Sequence, residues 1–103
     1  MENLIINGIE YRPVNGGMEK DVRIVILQRG WVYIGYFERE ENDCTLAKAS
    51  CIRIWGTSKG LGELVDGPTS STKLDKCNGI VEFDWLTVIC TITVNTEAWK
   101  KHL

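Results

Sequence analysis

The segment from residue 53 to residue 60 holds the side chains best suited to chemistry in this chain. Its sequence is Arg53-Ile54-Trp55-Gly56-Thr57-Ser58-Lys59-Gly60. Free amides in a glycine-flanked turn, together with hydroxyls and a lysine, can hold small anions, and strand alternation predicts that Arg53 and Trp55 share a face. Trp55 can then stack on a nucleobase while Arg53 or Lys59 meets a phosphate. The alternative is structural, with Trp55 packed under a helix that Thr57 or Ser58 caps.

A second hydroxyl-rich segment follows at residues 67–73. It contains Thr69, Ser70, Ser71 and Thr72. Its hydroxyls and amides can close over a ligand held by the first segment, as a mobile lid. The alternative is an exposed, solvated loop that continues to about Asn78.

Aromatic residues are dense in the region that precedes both segments. They are Trp31, Tyr33, Tyr36 and Phe37. An exposed set of this kind can be a base-stacking platform or a subunit interface, although core packing explains most of it. Tyr36 is the member that we assign to the candidate ligand site.

Groups for catalysis or metal binding are sparse. The one histidine, His102, lies at the end of the sequence, and Glu82 and Asp84 fit a solvated strand face as well as an acid–base pair. The cysteines show no Cys-x-x-Cys spacing and are expected to be reduced thiols; they are Cys44, Cys51, Cys77 and Cys90. We therefore expect neither an enzyme nor a metal site, and we expect no cofactor.

Charge and length limit the classes of partner. The 103 residues include 12 basic and 14 acidic ones, for a formal net charge of −2. A protein that holds long nucleic acid normally carries a basic surplus, so we expect no such partner, whereas a small anionic ligand needs only a local cluster. No apolar run approaches the length of a membrane span, which predicts no membrane partner and a cytosolic protein.

The elements that must position these residues are mainly strands. β-Branched and aromatic runs predict strands over 22–28, 31–38, 44–47, 51–55, 80–85 and 86–94. Gly35, inside the second run, predicts a bulge or a sharp bend. A short helix is expected near 58–66, ended by Gly67-Pro68, and a possible C-terminal helix over 96–103, capped by Asn95 or Thr96.

The predicted organisation is an N-terminal arm or hairpin over 1–21, a β core over 22–95 and a C-terminal helix or tail over 96–103. The hairpin is expected around Asn7-Gly8. The fold class is mainly β, a small SH3-like or Sm-like barrel of about five bent strands with a short inserted helix. Residues 24–49 resemble the opening of an Sm-like barrel. Such barrels associate edge to edge, which predicts a homo-oligomer.

A more specific likeness runs from about Val22 to Val94. The elements that carry it are Gly35-Tyr36-Phe37, Ile52-Arg53-Ile54-Trp55, Leu61-Gly62-Glu63-Leu64 followed by Gly67-Pro68-Thr69, and Leu86-Thr87-Val88-Ile89. In these elements the chain resembles a family of small uncharacterised proteins encoded by tailed bacteriophages. The resemblance implies a viral protein in the cytoplasm of an infected bacterial host cell. It implies no activity, and the N-terminal arm departs from the pattern.

Together these observations predict a phage-encoded binding protein that sequesters a small anionic ligand, in particular a nucleotide immune signal such as a cyclic oligonucleotide, to counter bacterial defence. The expected ligand-binding residues are Tyr36, Arg53, Trp55, Gly56, Thr57, Ser58, Lys59, Gly60, Thr69, Ser70, Ser71 and Thr72. One alternative is an Sm-like module that binds RNA or has a regulatory role. Another is a virion-associated or host-protein interaction module without a small-molecule ligand.

Overall fold

The computed structural model describes residues 21–103 and, for their backbone alone, the strand residues 5–6 and 9–10. Its strands are β1 (Ile5–Ile6), β2 (Ile9–Glu10), β3 (Val22–Leu27), β4 (Val32–Glu40), β5 (Asp43–Ile54), β6 (Lys73–Lys76), β7 (Val81–Asp84) and β8 (Val88–Thr93). Helices of the 3-10 type span Gln28–Gly30, Leu61–Asp66 and Trp85–Thr87, and α1 spans Thr96–Lys100. β1 pairs with β2 in antiparallel register. The turn expected at Asn7-Gly8 and most of the arm expected over 1–21 lie outside the described residues.

Strands β3 to β8 form one antiparallel sheet, which confirms the mainly β class. The strand order is β6-β5-β4-β3-β8, and β7 pairs with the first part of β5 while β6 pairs with its last part. Within residues 21–103 no pairing joins β8 to β6 or β7, so the expected barrel is not closed. The physical reason is the 3-10 turn at Trp85–Thr87, after which β8 leaves β7 and pairs with β3.

Apolar residues pack on both sides of β3 and β4, because other parts of the chain cover both sides. The helix-side cluster includes Ile24, Ile34, Ile52, Leu64 and Trp99, with Leu64 and Trp99 supplied by the second 3-10 helix and by α1. The strand-side cluster consists of Val25, Leu46 and Ala49, with Phe37, Val81, Phe83 and Val88 among the residues packed against it. This arrangement explains strands that are apolar on both faces.

The bend predicted at Gly35 is present as a β-bulge. Ile34 lies opposite Ser50 and Tyr36 opposite Ala47, so Gly35 faces two residues of β5. A Cβ atom at Gly35 would lie 3.0 Å from the Ala47 carbonyl oxygen, so the close approach of the two backbones favours glycine.

The region 69–78, expected to be an exposed loop, contains the four-residue strand β6. Lys73–Lys76 pairs with the end of β5, with Leu74 opposite Ile52. The prediction was wrong because Leu74 is the one apolar residue of β6, which is too few to show alternation.

The expected strand over 86–94 was also wrong at its start, since Asp84 Oδ1 accepts the Leu86 N–H at 2.8 Å and caps a 3-10 turn there.

The two expected helices are present but shorter. Leu61–Asp66 is a 3-10 helix whose N-cap is Gly60 and which has no side-chain cap, contrary to the expected role of Thr57 or Ser58. α1 is capped by Asn95, whose Oδ1 accepts the Ala98 N–H at 3.2 Å. Of the helices in the described residues, none is long and apolar enough to cross a membrane.

Candidate functional site

The two hydroxyl-bearing segments of the expected ligand site are in direct contact. Thr69 Oγ1 donates a hydrogen bond of 2.6 Å to the Gly56 carbonyl, and Thr72 Oγ1 donates one of 2.7 Å to the Trp55 carbonyl. The Thr72 N–H bonds to the Thr69 carbonyl at 3.2 Å and closes the turn between them. The chain therefore uses both threonine hydroxyls to attach the 69–72 turn to Trp55-Gly56, while Ser70 and Ser71 are exposed.

The loop that follows Gly56 already holds an anionic group, the carboxylate of Glu63. The Ser58 N–H donates to Glu63 Oε1 at 3.0 Å, and Ser58 Oγ lies 3.5 Å from Oε2. A ligand phosphate at this amide would have to displace that carboxylate. Lys59 is exposed and makes no ion pair with a described residue, Thr57 is half-buried, and Gly60 precedes the 3-10 helix with a φ of 106°.

Arg53 lies on the exposed surface and is already ion-paired. Its Nε lies 2.9 Å from Asp75 Oδ2, and the two side chains are 58% and 51% exposed. An exposed pair of this kind contributes less than about 1 kcal/mol to stability, because water and salt screen it. The guanidinium can therefore exchange Asp75 for another oxyanion at small cost.

A register shift at the end of β5 interrupts the alternation that was expected to place Arg53 and Trp55 on one strand face. Ile52 lies opposite Leu74 and Ile54 lies opposite Lys73, so β5 contains one extra residue at this point. A bulge shifts the alternation of the side chains that follow it. Trp55 follows the last residue of β5 and is 43% exposed.

The aromatic residue nearest in register to Arg53 is on the neighbouring strand β4. Tyr33 lies opposite Cys51, two residues before Arg53, and Cys51 in turn lies opposite Asp75. The ring of Trp31 stacks on Tyr33 with centroids 6.4 Å apart and an interplanar angle of 17°. We call Trp31, Tyr33, Cys51, Arg53 and Asp75 the Trp31 face; Trp31 is 56% exposed.

The Tyr33 hydroxyl and the Cys51 thiol contribute no charge to the Trp31 face at neutral pH. Burial raises the pKa of Tyr33, and Cys51 and Cys77 raise it further. Burial also raises the pKa of Cys51, with Asp75 and Cys77 adding to the effect and Arg53 opposing it. The charges of this face are therefore those of Arg53 and Asp75.

The remaining expected residue, Tyr36, is not part of the Trp31 face. It is half-buried and packs against the helix-side cluster, opposite Ala47 in β5. Trp31 is not among the ligand-binding residues expected from the sequence. The signal that could have placed it was the two-residue spacing of Trp31 and Tyr33, which predicts a shared strand face.

The acidic and sulfur groups outside the Trp31 face that the sequence singled out are a helix cap, an exposed carboxylate and a buried thiol. Asp84 caps the third 3-10 helix, Glu82 is exposed, and Cys44 is buried, with burial raising its pKa. Among residues 21–103 and the described strand residues before them, no group of three or more metal-ligating side chains is present.

Comparison of this chain with family models, with curated proteins and with solved structures found no match. The function is therefore inferred from the geometry of the Trp31 face and its surroundings.

Proposed function

We propose that the protein binds a small anionic ligand of the nucleotide type on the Trp31 face, without chemical conversion. One observation carries the proposal: the exposed indole of Trp31 stacks on Tyr33 of β4, and Tyr33 lies opposite Cys51, two residues before the exposed guanidinium of Arg53 on β5. Neighbouring strands are about 5 Å apart, a distance over which a nucleobase on Trp31 and its phosphate on Arg53 can both be bound. Stacking of a base on an aromatic ring is worth roughly 1–3 kcal/mol.

The biological setting in the proposal is the cytoplasm of an infected bacterium. The resemblance to small phage proteins supports that setting by association alone. A cyclic oligonucleotide that signals infection fits the required chemistry, because it combines stacking bases with phosphates. Capture of such a signal needs only affinity and stoichiometric amounts of protein.

Three substitutions test the Trp31 face by affinity. Trp31→Ala is expected to weaken binding of a cyclic dinucleotide by about tenfold or more, since it removes the stacking ring. Arg53→Gln should also weaken binding, whereas Asp75→Asn should strengthen it, because the competing carboxylate is lost and Arg53 is released. Isothermal titration calorimetry with a panel of cyclic oligonucleotides measures the three effects.

Trp55→Ala and Lys59→Gln serve as matched controls, with one indole or one charge removed outside the Trp31 face. The proposal requires a smaller effect from these two than from Trp31→Ala and Arg53→Gln. Ligand recovered after heat denaturation should be intact. Failure of the whole panel to bind, or recovery of cleaved ligand, would overturn the proposal.

A second candidate is self-association through β8, which a different observation favours. Among the described residues β8 pairs with β3 alone; Ile89 within β8 is 62% exposed, and Leu86 shortly before it is 73% exposed. The stretch from Leu86 to Asn95 contains no charged residue. Natural edge strands usually carry charges that prevent pairing, so an uncharged edge is suited to antiparallel pairing with the same strand of a second copy.

Substitution of Ile89 by lysine tests this second candidate. A lysine next to its symmetry mate would place like charges together, so we expect Ile89→Lys to lower the oligomer fraction seen by native mass spectrometry. Ile80→Lys is the matched control, because Ile80 is also 62% exposed but lies in the connection between β6 and β7. A wild-type protein that is monomeric at every concentration tested would exclude this candidate.

A further inference from the structure

An open recess of about 460 Å³ lies between the bulge of β5 and the connection from β6 to β7. Its lining includes Lys48 from the bulge and Lys76 from the end of β6, followed by Asn78 and Gly79. None of these residues belongs to the Trp31 face. The recess therefore consists of different residues from the Trp31 face, although Cys77 of its lining is close enough to affect Tyr33 and Cys51.

The charged side chains that line the recess are all positive. Both charged residues of its lining are lysines, and neither Lys48 nor Lys76 makes an ion pair with a described residue. Both lysines are exposed, and an anion held in the recess would be attracted by their two positive charges. This is a local positive site in a chain whose formal net charge is −2.

The backbone holds the two lysines in place. Lys48 has a φ of 51°, a left-handed conformation that is uncommon for a residue other than glycine or asparagine. It lies in the bulge opposite Gly35, and the adjacent Ala49 carbonyl accepts the Cys77 N–H at 2.9 Å, which ties the β6–β7 connection to the bulge. Lys48 and the start of the β6–β7 connection are therefore held on two sides of the recess.

We propose that this recess binds a phosphate group, either as the free ion or as the phosphate of a nucleoside monophosphate. Lys48 and Lys76 supply the charge, and the Asn78 amide and the Gly79 backbone N–H supply neutral donors. The proposal goes beyond the function assigned to the Trp31 face. Either can fail without the other, because the two use different residues.

Backbone amide shifts of the full chain, titrated with inorganic phosphate and separately with adenosine monophosphate, test the proposal. We expect saturable shifts at Lys48, Asn78 and Gly79. Saturation by both probes supports a site for phosphate groups in general, and saturation by inorganic phosphate alone supports a site for the free ion. Shifts that do not saturate with either probe overturn the proposal.

Two substitutions sharpen this experiment. Lys48→Asn removes the charge and places at φ 51° a residue that adopts that conformation readily, and Lys76→Gln removes the second charge. Each is expected to weaken phosphate binding about tenfold, the effect of losing one hydrogen bond to a charged group. Lys59→Gln, with the same loss of charge elsewhere, should leave the affinity within about twofold. Equal weakening of phosphate binding by all three variants would overturn the proposal. If Lys48→Asn does not fold, the comparison of Lys76→Gln with Lys59→Gln tests the proposal by itself.

Discussion

Replacing Trp99 with alanine is expected to lower the free energy of unfolding by about 4 kcal/mol, the range measured when a buried aromatic side chain is truncated in a core. Trp99 is fully buried and is the largest of the fully buried side chains. It is also the residue through which the five-residue helix α1 packs into the helix-side cluster. A helix this short is not stable by itself, so α1 should lose its structure in the variant. Urea denaturation followed by far-ultraviolet circular dichroism measures the change.

Trp99→Phe separates the indole hydrogen bond from the packing of the ring. The Trp99 Nε1–H donates to the Leu64 carbonyl at 2.7 Å, and the same carbonyl accepts the Gly67 N–H at 3.1 Å. Because Leu64 keeps one partner, loss of the indole N–H should cost only about 1 kcal/mol, with a further cost for the smaller ring. The packing argument fails if Trp99→Ala destabilises the protein no more than Trp99→Phe does.

Gly56→Ala is the second substitution with a large expected effect, roughly 3 kcal/mol of lost stability. Gly56 has a φ of 68°, where an L residue costs about 1–2 kcal/mol. The added Cβ would lie 2.4 Å from the Ser71 carbonyl carbon and 2.5 Å from the Thr72 nitrogen, so the 69–72 turn must move away. That movement would break the hydrogen bonds from Thr69 and Thr72 to the carbonyls of Gly56 and Trp55. Denaturant midpoints, with amide shifts of the 69–72 turn, measure both consequences.

Gly62→Ala is the matched control for Gly56→Ala. Gly62 lies in the 3-10 helix Leu61–Asp66, and a Cβ atom there would have no described neighbour within 4 Å. Its substitution should leave stability unchanged or raise it slightly, since alanine restricts the unfolded chain. A Gly56→Ala variant as stable as Gly62→Ala would show that the 69–72 turn is not held against Gly56.

The sequence predicted the strands rich in β-branched residues and missed the strand that lacks them. Val22–Leu27 has apolar side chains for both clusters and is recognisable from composition alone. β6 has no β-branched residue and one apolar residue, Leu74, and it forms because the end of β5 offers it a partner. Pairing of this kind depends on tertiary structure, which a local pattern does not contain.

The hydrogen bonds around the candidate site residues could not be predicted from the sequence, for local reasons. The hydroxyls of the 69–72 turn were expected either to close over a ligand or to lie in a solvated loop, whereas the two threonine hydroxyls donate to main-chain carbonyls of Trp55 and Gly56. The Ser58 amide binds Glu63, five residues along the chain, a spacing that differs from the three-residue spacing of a capping box. β5 contains an extra residue between Ile52 and Ile54, which interrupts the alternation expected at Arg53 and Trp55. A bulge of this kind is set by the partner strand and leaves no mark in the residue types.

The pairing of β3 with β8 has a consequence for how the chain folds as it is synthesised. Arg23 lies opposite Thr93, so this pairing joins segments that are about seventy residues apart in sequence. Long-range pairing of strands is slow, because a large loop must close before any contact repays the entropy cost. Until Thr93 has left the ribosome, β3 lacks one of its two partners and its edge is open to association with other nascent chains. Rapid expression of this protein should therefore depend on chaperones that cover exposed strands.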